Sequence, residues 1–285
     1  MPDVCAAAMN ASSQRIAIGL EYDGSRYSGW QRQAGPGSIE TELAAAVAYV
    51  ADHDVEVFAA GRTDAGVHAL GQVVHFESTA ARTARGWLLG ITSRLPPDIT
   101  LTWVRAVDAD FHARASAVAR TYVYRILNRP TRPALARLRA CWWRDELDAR
   151  HMDRVAQQFC GEHDFSAFRA AQCQSKSAVR QLHRISVTRS AELVSIEVTA
   201  NAFLHHMVRN IAGALLAVGS GRRPESWVAG VLASRDRRQA GITAPAGGLY
   251  LAAVHYPPHF GIPVAGNACS DMIAGPSIQL SGTGA

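Results

Sequence analysis

The sequence predicts an α+β fold of two ferredoxin-like β-α-β-β-α-β halves, with mixed, largely antiparallel sheets and a central cleft. Three observations carry that prediction. The chain has 285 residues, 48% of them hydrophobic, enough for one large domain or two small ones. Strand and helix periodicities alternate in the order β-α-β-β-α-β, and that order occurs twice. Charge breaks between the two occurrences: there are 8 basic against 13 acidic side chains through Asp110, and 21 against 11 from Phe111 on.

Residues 1–14 are Ala/Ser-rich and residues 261–285 Gly/Ser/Pro-rich, so both are expected to be flexible tails around an N-terminal half, 15–110, and a C-terminal half, 111–260. In the first half, Ile16, Ile18, Leu20 and Tyr22 alternate as in a strand that Asp23-Gly24 closes. Ser38 is placed to cap a helix carrying Ile39, Leu43, Val47 and Val50 on one face, with Glu40 and Glu42 favourable in its first turn. Strands are predicted at 55–60 and 72–77 around a polar loop, 61–71. A helix at 86–95 and a strand at 99–107 complete the series. The second half repeats it with a strand at 121–127, a helix at 147–160, strands at 179–188 and 193–200, helices at 203–218 and 226–233, and a last strand at 249–254.

The net charge of +5 matters less than its distribution. Residues 111–144 hold Arg114, Arg120, Arg125, Arg129, Arg132, Arg137, Arg139 and Arg144 with no Asp or Glu, and residues 165–191 are also acid-free. Compositional bias explains Arg in place of Lys but not the missing acids, so the C-terminal half is expected to meet a polyanion. No apolar run reaches the roughly 20 residues of a membrane span, and no secretory leader pattern opens the chain, so a cytoplasmic protein without a membrane partner is expected. Cys5, Cys141, Cys160, Cys173 and Cys269 form no Cys-x-x-Cys pair, so free thiols are expected and no metal. A Gly-x-Ser-x-Gly elbow, a phosphate-binding P-loop and a complete dinucleotide fingerprint are all missing, which weakens hydrolase, nucleotide-triphosphatase and dehydrogenase readings.

The loop from Gly61 to Ala69 concentrates Arg62, Asp64 and His68 between glycines, a composition that lets a ligand approach the backbone closely. A carboxylate beside an arginine suits a nucleophile or an electrostatic stabiliser better than a general acid. The plainer reading is a turn aspartate bonded to its own backbone. On a helix starting at Phe203, Arg209 falls about 140° from Leu204 and points away from the apolar stripe beside His205. An exposed arginine without a role is the plainer alternative. Adjacent His205 and His206 would diverge on that helix, which argues against a metal pair. Tyr122 and Tyr124 share one strand face inside the basic stretch, where one offers a stacking surface for a base and at least one serves the core.

The run Gly61-Arg62-Thr63-Asp64-Ala65-Gly66-Val67-His68-Ala69 resembles the signature of the TruA family of tRNA pseudouridine synthases. Tyr22-Asp23-Gly24, Tyr27-Ser28-Gly29-Trp30-Gln31, Arg120-Thr121-Tyr122-Val123-Tyr124, Phe165-Ser166-Ala167-Phe168-Arg169, the segment 201–211 and the segment 244–251 follow in the family's order, covering about 15–256. Ser38-Ile39-Glu40 departs from the family's usual Thr-Val-Gln. The resemblance implies the pseudouridine synthase fold and isomerisation of uridine in the anticodon stem-loop of tRNA, at positions 38, 39 and 40, with Asp64 as the essential carboxylate. It also implies that Arg62 displaces and holds the nucleotide, Tyr122 stacks on the uracil, Arg209 pairs with Asp64, and Leu249 forms an apolar wall. No cofactor is implied, since substrate and product are isomers, and the implied partners are tRNA and a second copy of the chain in a homodimer.

Overall fold

The computed structural model describes residues 13–33 and 37–264. The expected tails fall mostly outside the described residues, as do Cys5 and Cys269; Gln14, assigned to a tail, instead opens the first strand. The first half contains β1 (Gln14–Tyr22), α1 (Ile39–Ala51), β2 (Phe58–Ala59), β3 (His68–Ser78), α2 (Ala84–Arg94) and β4 (Ile99–Ala106), in the predicted order. Ser38 caps α1, its Oγ accepting the amide of Thr41 at 3.3 Å. The apolar face of that helix buries Ile39, Leu43 and Val47 completely, and a leucine taken wholly out of water contributes about 2 kcal/mol.

The second half contains β5 (Ala119–Asn128), β6 (Cys141–Trp143), α3 (Ala149–Ala156), β7 (Gly161–Asp164), β8 (Val179–Ser190), β9 (Leu193–Ala200), α4 (Met207–Gly219), α5 (Ser226–Ser234) and β10 (Leu249–His255). β6 and β7 are not predicted. They are too short to show a period and are strands only because β6 pairs with Ile126 to Asn128, and β7 with Val179 to Leu182. α4 begins four residues later than predicted, because Leu204 to Met207 form a turn, with the amide of Met207 on the Leu204 carbonyl, and His206 takes a positive φ of 63°.

Instead of separate sheets, the strands make one ten-stranded mixed sheet in the order β4-β1-β3-β10-β5-β9-β8-β7, with β2 on β3 and β6 on β5. Among the described residues, only the β10–β3 and β5–β6 pairs are parallel; the rest are antiparallel. The last strand therefore joins the halves. Its Tyr250 and Leu251 pair with His68 and Ala69, which extends β3 back into the predicted loop; a partner about 180 residues distant leaves no local trace. α1 packs on α2, and α3 on β8 and α4. Cys141, Cys160 and Cys173 are free thiols.

Candidate active site

The predicted loop, shortened to residues 60–67, is tied down from four sides. Its start is fixed by the amide of Ala60 on the Val73 carbonyl, by Gln72 Nε2 donating to the Gly61 carbonyl at 2.8 Å, and by Arg120 Nη2 donating to the Ala60 carbonyl at 3.0 Å. Thr63 Oγ1 is 2.8 Å from the buried phenol of Tyr22, and its carbonyl accepts the amide of Trp30 at 2.9 Å. Burial pushes the Tyr22 phenol up to about 12, so it stays protonated in that contact. Behind the loop runs Gly29 at φ 100°, where an added Cβ would lie 2.6 Å from the Thr63 carbonyl oxygen; only glycine allows this approach. The amide of Val67 returns to the Asp64 carbonyl at 3.1 Å across Gly66, itself at φ 77°.

Asp64 thus sits at the tip of a braced turn, its side chain 24% exposed. Three groups from one segment surround its carboxylate. Arg209 Nη1 lies 3.4 Å from Oδ2, His205 Nε2 3.2 Å from Oδ1, and His206 Nε2 3.4 Å from Oδ2. Arg209 also donates from Nε to the Ala244 carbonyl at 2.8 Å, so it is committed to the site rather than to solvent. The two imidazoles converge on Asp64 because they precede α4, which removes the helical divergence expected from the sequence. Burial lowers the pKa of His206, against the opposing pull of Asp64 and aided by Arg209, His205 and Arg237. Asp64, His205 and His206 bring donor atoms within 4.8 Å of one another, but the guanidinium of Arg209 already supplies the cation on that carboxylate.

Tyr122 projects from β5 at 9% exposure, its ring edge-on to Phe203 with centroids 5.0 Å apart. Burial, reinforced by Tyr22 and the charge of Asp64, raises its phenol pKa, so it acts as a neutral ring. Tyr124 is the core tyrosine, fully buried with its hydroxyl on the Pro245 carbonyl. Leu249, 6% exposed, opens β10 opposite Tyr124, two residues before Leu251 faces Tyr122. Arg62 is exposed beside Asp64.

The basic stretches divide by burial. Arg125 is 2% exposed with its guanidinium 4.8 Å above the Tyr250 ring, and Arg120 is spent on backbone carbonyls; neither faces a polyanion. Arg114, Arg132, Arg137, Arg139, Arg144 and Arg184 are exposed. An open groove lined by Glu162, His163, Asp164, Glu225 and Arg235 contains none of the predicted site residues.

Sequence reading missed His205 and His206 as neighbours of Asp64, and it missed the brace behind the loop. His68 is 2% exposed, accepts the Gly24 amide on Nδ1 at 3.2 Å, and faces the carbonyls of Leu138 and Gly247 through Nε2. Asp23 receives a two-pronged contact from Arg139 at 3.1 and 3.0 Å. The recurrence of His and Asp in the quoted motifs was the available signal; their partners come from segments far along the chain.

A family model described as tRNA pseudouridine synthase matches residues 19–114 and 155–257. A tRNA pseudouridine synthase A of Methylococcus capsulatus is 53% identical over 248 residues, 87% of this chain and 92% of that protein. The protein of the same name from Aeromonas hydrophila is 52% identical over 249 residues, 87% of this chain and 93% of its own. Among solved structures, a Cbf5–Nop10–Gar1 complex aligns at a TM-score of 0.33 and 13% identity over 70% of this chain, which spans 45% of that chain; so low a likeness carries no weight beside the sequence matches. The chain belongs to the tRNA pseudouridine synthase family.

Proposed function

We propose that the protein isomerises uridine to pseudouridine in the anticodon stem-loop of tRNA, at positions 38, 39 and 40, as a cytoplasmic homodimer that needs no cofactor. The observation that carries the reading is the Asp64 carboxylate: partly exposed, on a braced turn, with Arg209 at 3.4 Å and its charge felt by the phenol of Tyr122 on β5. The division of labour gives the catalytic loop to residues 15–110 and the basic tRNA-binding surface to residues 111–260.

The chemistry explains the residue set. The target uridine leaves its stack at a cost of a few kcal/mol. Arg62, exposed two residues before Asp64, displaces and holds the nucleotide; Tyr122 stacks on the uracil; Leu249 supplies an apolar wall. Asp64 assists cleavage of the C1′–N1 bond. The detached uracil turns and C1′ bonds to C5; C5 then loses its proton and N1 gains one, so atoms balance and no electrons are exchanged. Arg209, with Nη1 3.4 Å from Oδ2, fixes the carboxylate.

The test is Asp64→Asn in an assay of tritium released from C5-labelled uridine in tRNA. Release is expected to be abolished while tRNA binding is largely preserved. Undiminished release by the variant overturns the assignment.

A further inference from the structure

His206 is anomalous in three respects at once. It is a non-glycine residue at φ 63°, a conformation L side chains enter with strain. It occupies the N-cap of α4, where Ser, Thr, Asp or Asn in an extended conformation would satisfy a free amide, yet its side chain makes no capping bond. Instead its Nε2 lies 3.4 Å from Asp64 Oδ2. The local sequence thus forgoes both the relaxed backbone of glycine and the helix cap of a small polar residue, and what it obtains is an imidazole on the Asp64 carboxylate.

The neighbouring residue completes the arrangement. His205 Nε2 is 3.2 Å from the other carboxylate oxygen, Oδ1. The two rings lie with centroids 4.1 Å apart and tilted by 43°. The backbone that presents them is anchored on both sides: the His205 carbonyl accepts the amide of Ala170 at 2.9 Å, and the His206 carbonyl accepts that of Asn210 at 2.9 Å. A carboxylate offers only acceptors, so the imidazole tautomer that fits it carries hydrogen on Nε2. Distances of 3.2 and 3.4 Å are loose for such contacts, as catalytic contacts often are before substrate tightens them.

We propose that His206, seconded by His205, is a positioning residue for the reaction, holding one oxygen of Asp64 while its neighbour holds the other, so that the carboxylate meets the ribose in a single rotamer. The inference rests on the proposed role of Asp64. The left-handed backbone at position 206 is what turns the imidazole out of the helix and toward the loop; a helical φ would carry it round with α4.

Glycine and asparagine both tolerate positive φ, which makes a test that separates function from folding. His206→Gly and His206→Asn are compared with wild type for thermal midpoint, KM for tRNA, and kcat by tritium release. The expected result is an unchanged or raised midpoint, KM within about threefold, and kcat lowered about tenfold or more. A kcat within threefold of wild type, an effect confined to KM, or a kcat loss accompanied by a lowered midpoint in both variants overturns the inference. Asp64→Asn, run alongside, separates the two claims: if it retains release, the role of Asp64 itself fails; if it is inactive while the His206 variants turn over normally, only the positioning role fails.

Discussion

Arg209 and Asp64 stand 145 residues apart in the chain and 3.4 Å apart in space, and the guanidinium that reaches the carboxylate through Nη1 is held from behind by Nε on the Ala244 carbonyl. The arginine therefore works as a rigid bracket, with two donors used in fixed geometry. A lysine has one ammonium and cannot occupy both positions.

Arg209→Lys is accordingly expected to keep the charge but lose the geometry. Misplacement of a reacting group by about 1 Å costs on the order of a hundredfold. Single-turnover tritium release should fall by about tenfold to a hundredfold, while filter-binding affinity for tRNA changes little. Retention of the wild-type rate would show that the bracket is dispensable.

Gly29 backs the turn that carries Asp64 with a φ of 100°, and an added Cβ would stand 2.6 Å from the Thr63 carbonyl oxygen. Gly29→Ala should therefore both strain the backbone and push the loop, destabilising the protein by about 2 kcal/mol. Urea unfolding gives the stability change. Because the Trp30 amide also holds Thr63, kcat should fall more steeply than the loss of folded protein accounts for.

Arg132 and Arg137 are exposed in the acid-free stretch. If tRNA binds there, log affinity falls linearly with log salt, by a little under one unit of slope per neutralised phosphate. The double variant Arg132→Ala, Arg137→Ala should weaken binding of all tRNA substrates alike and flatten the salt slope by about two. An unaltered slope removes this segment from the interface.

His75 in β3 is 3% exposed, accepts the amide of Ala113 on Nδ1, and stacks on Phe58. Burial, with His112 and Arg15 adding positive charge, lowers its pKa to about 4. The unfolded chain then binds the proton more readily than the folded one, so the stability from the neutral ring is present above about pH 6.5 and lost as the pH falls toward 4. At 1.36 kcal/mol per pH unit, discounted for local relaxation, the loss is on the order of 2 kcal/mol. Urea midpoints between pH 7.5 and 4.5 should fall for wild type, and His75→Asn should lose less over that range by this amount. Burial depresses His68 and His255 in the same direction, so only the difference between the two proteins isolates His75.

Legibility in the sequence follows the range of the forces involved. Leu193–Ala200 was readable to the residue because alternating burial of Val194, Ile196, Val198 and Ala200 is written into alternate positions. α1 was readable because its cap and its apolar spacing are local. The bounds of β3 were not, since His68 becomes strand through Tyr250, and Ala69 through Leu251 as well as Tyr22 across a register shift. Asp64 stood out through its glycine-bounded composition and through resemblance, and Arg209 through its motif. His205 and His206 are hidden because the apolar stripe of α4 runs on through Leu204 at helical spacing; nothing within a few residues signals the positive φ at His206 that brings both rings round to Asp64.

β10 is synthesised after every strand it touches, yet it lies in the middle of the sheet, between β3 and β5. A nascent chain still on the ribosome and lacking residues 249–255 leaves the edge of β3 that bears His68 without its neighbour and β5 without the strand opposite Tyr122. Early-emerging segments must wait, with open edges, for a late arrival to close the molecule. A delay between emergence of the Asp64 loop and completion of the sheet that carries it is built into the order in which the strands are made.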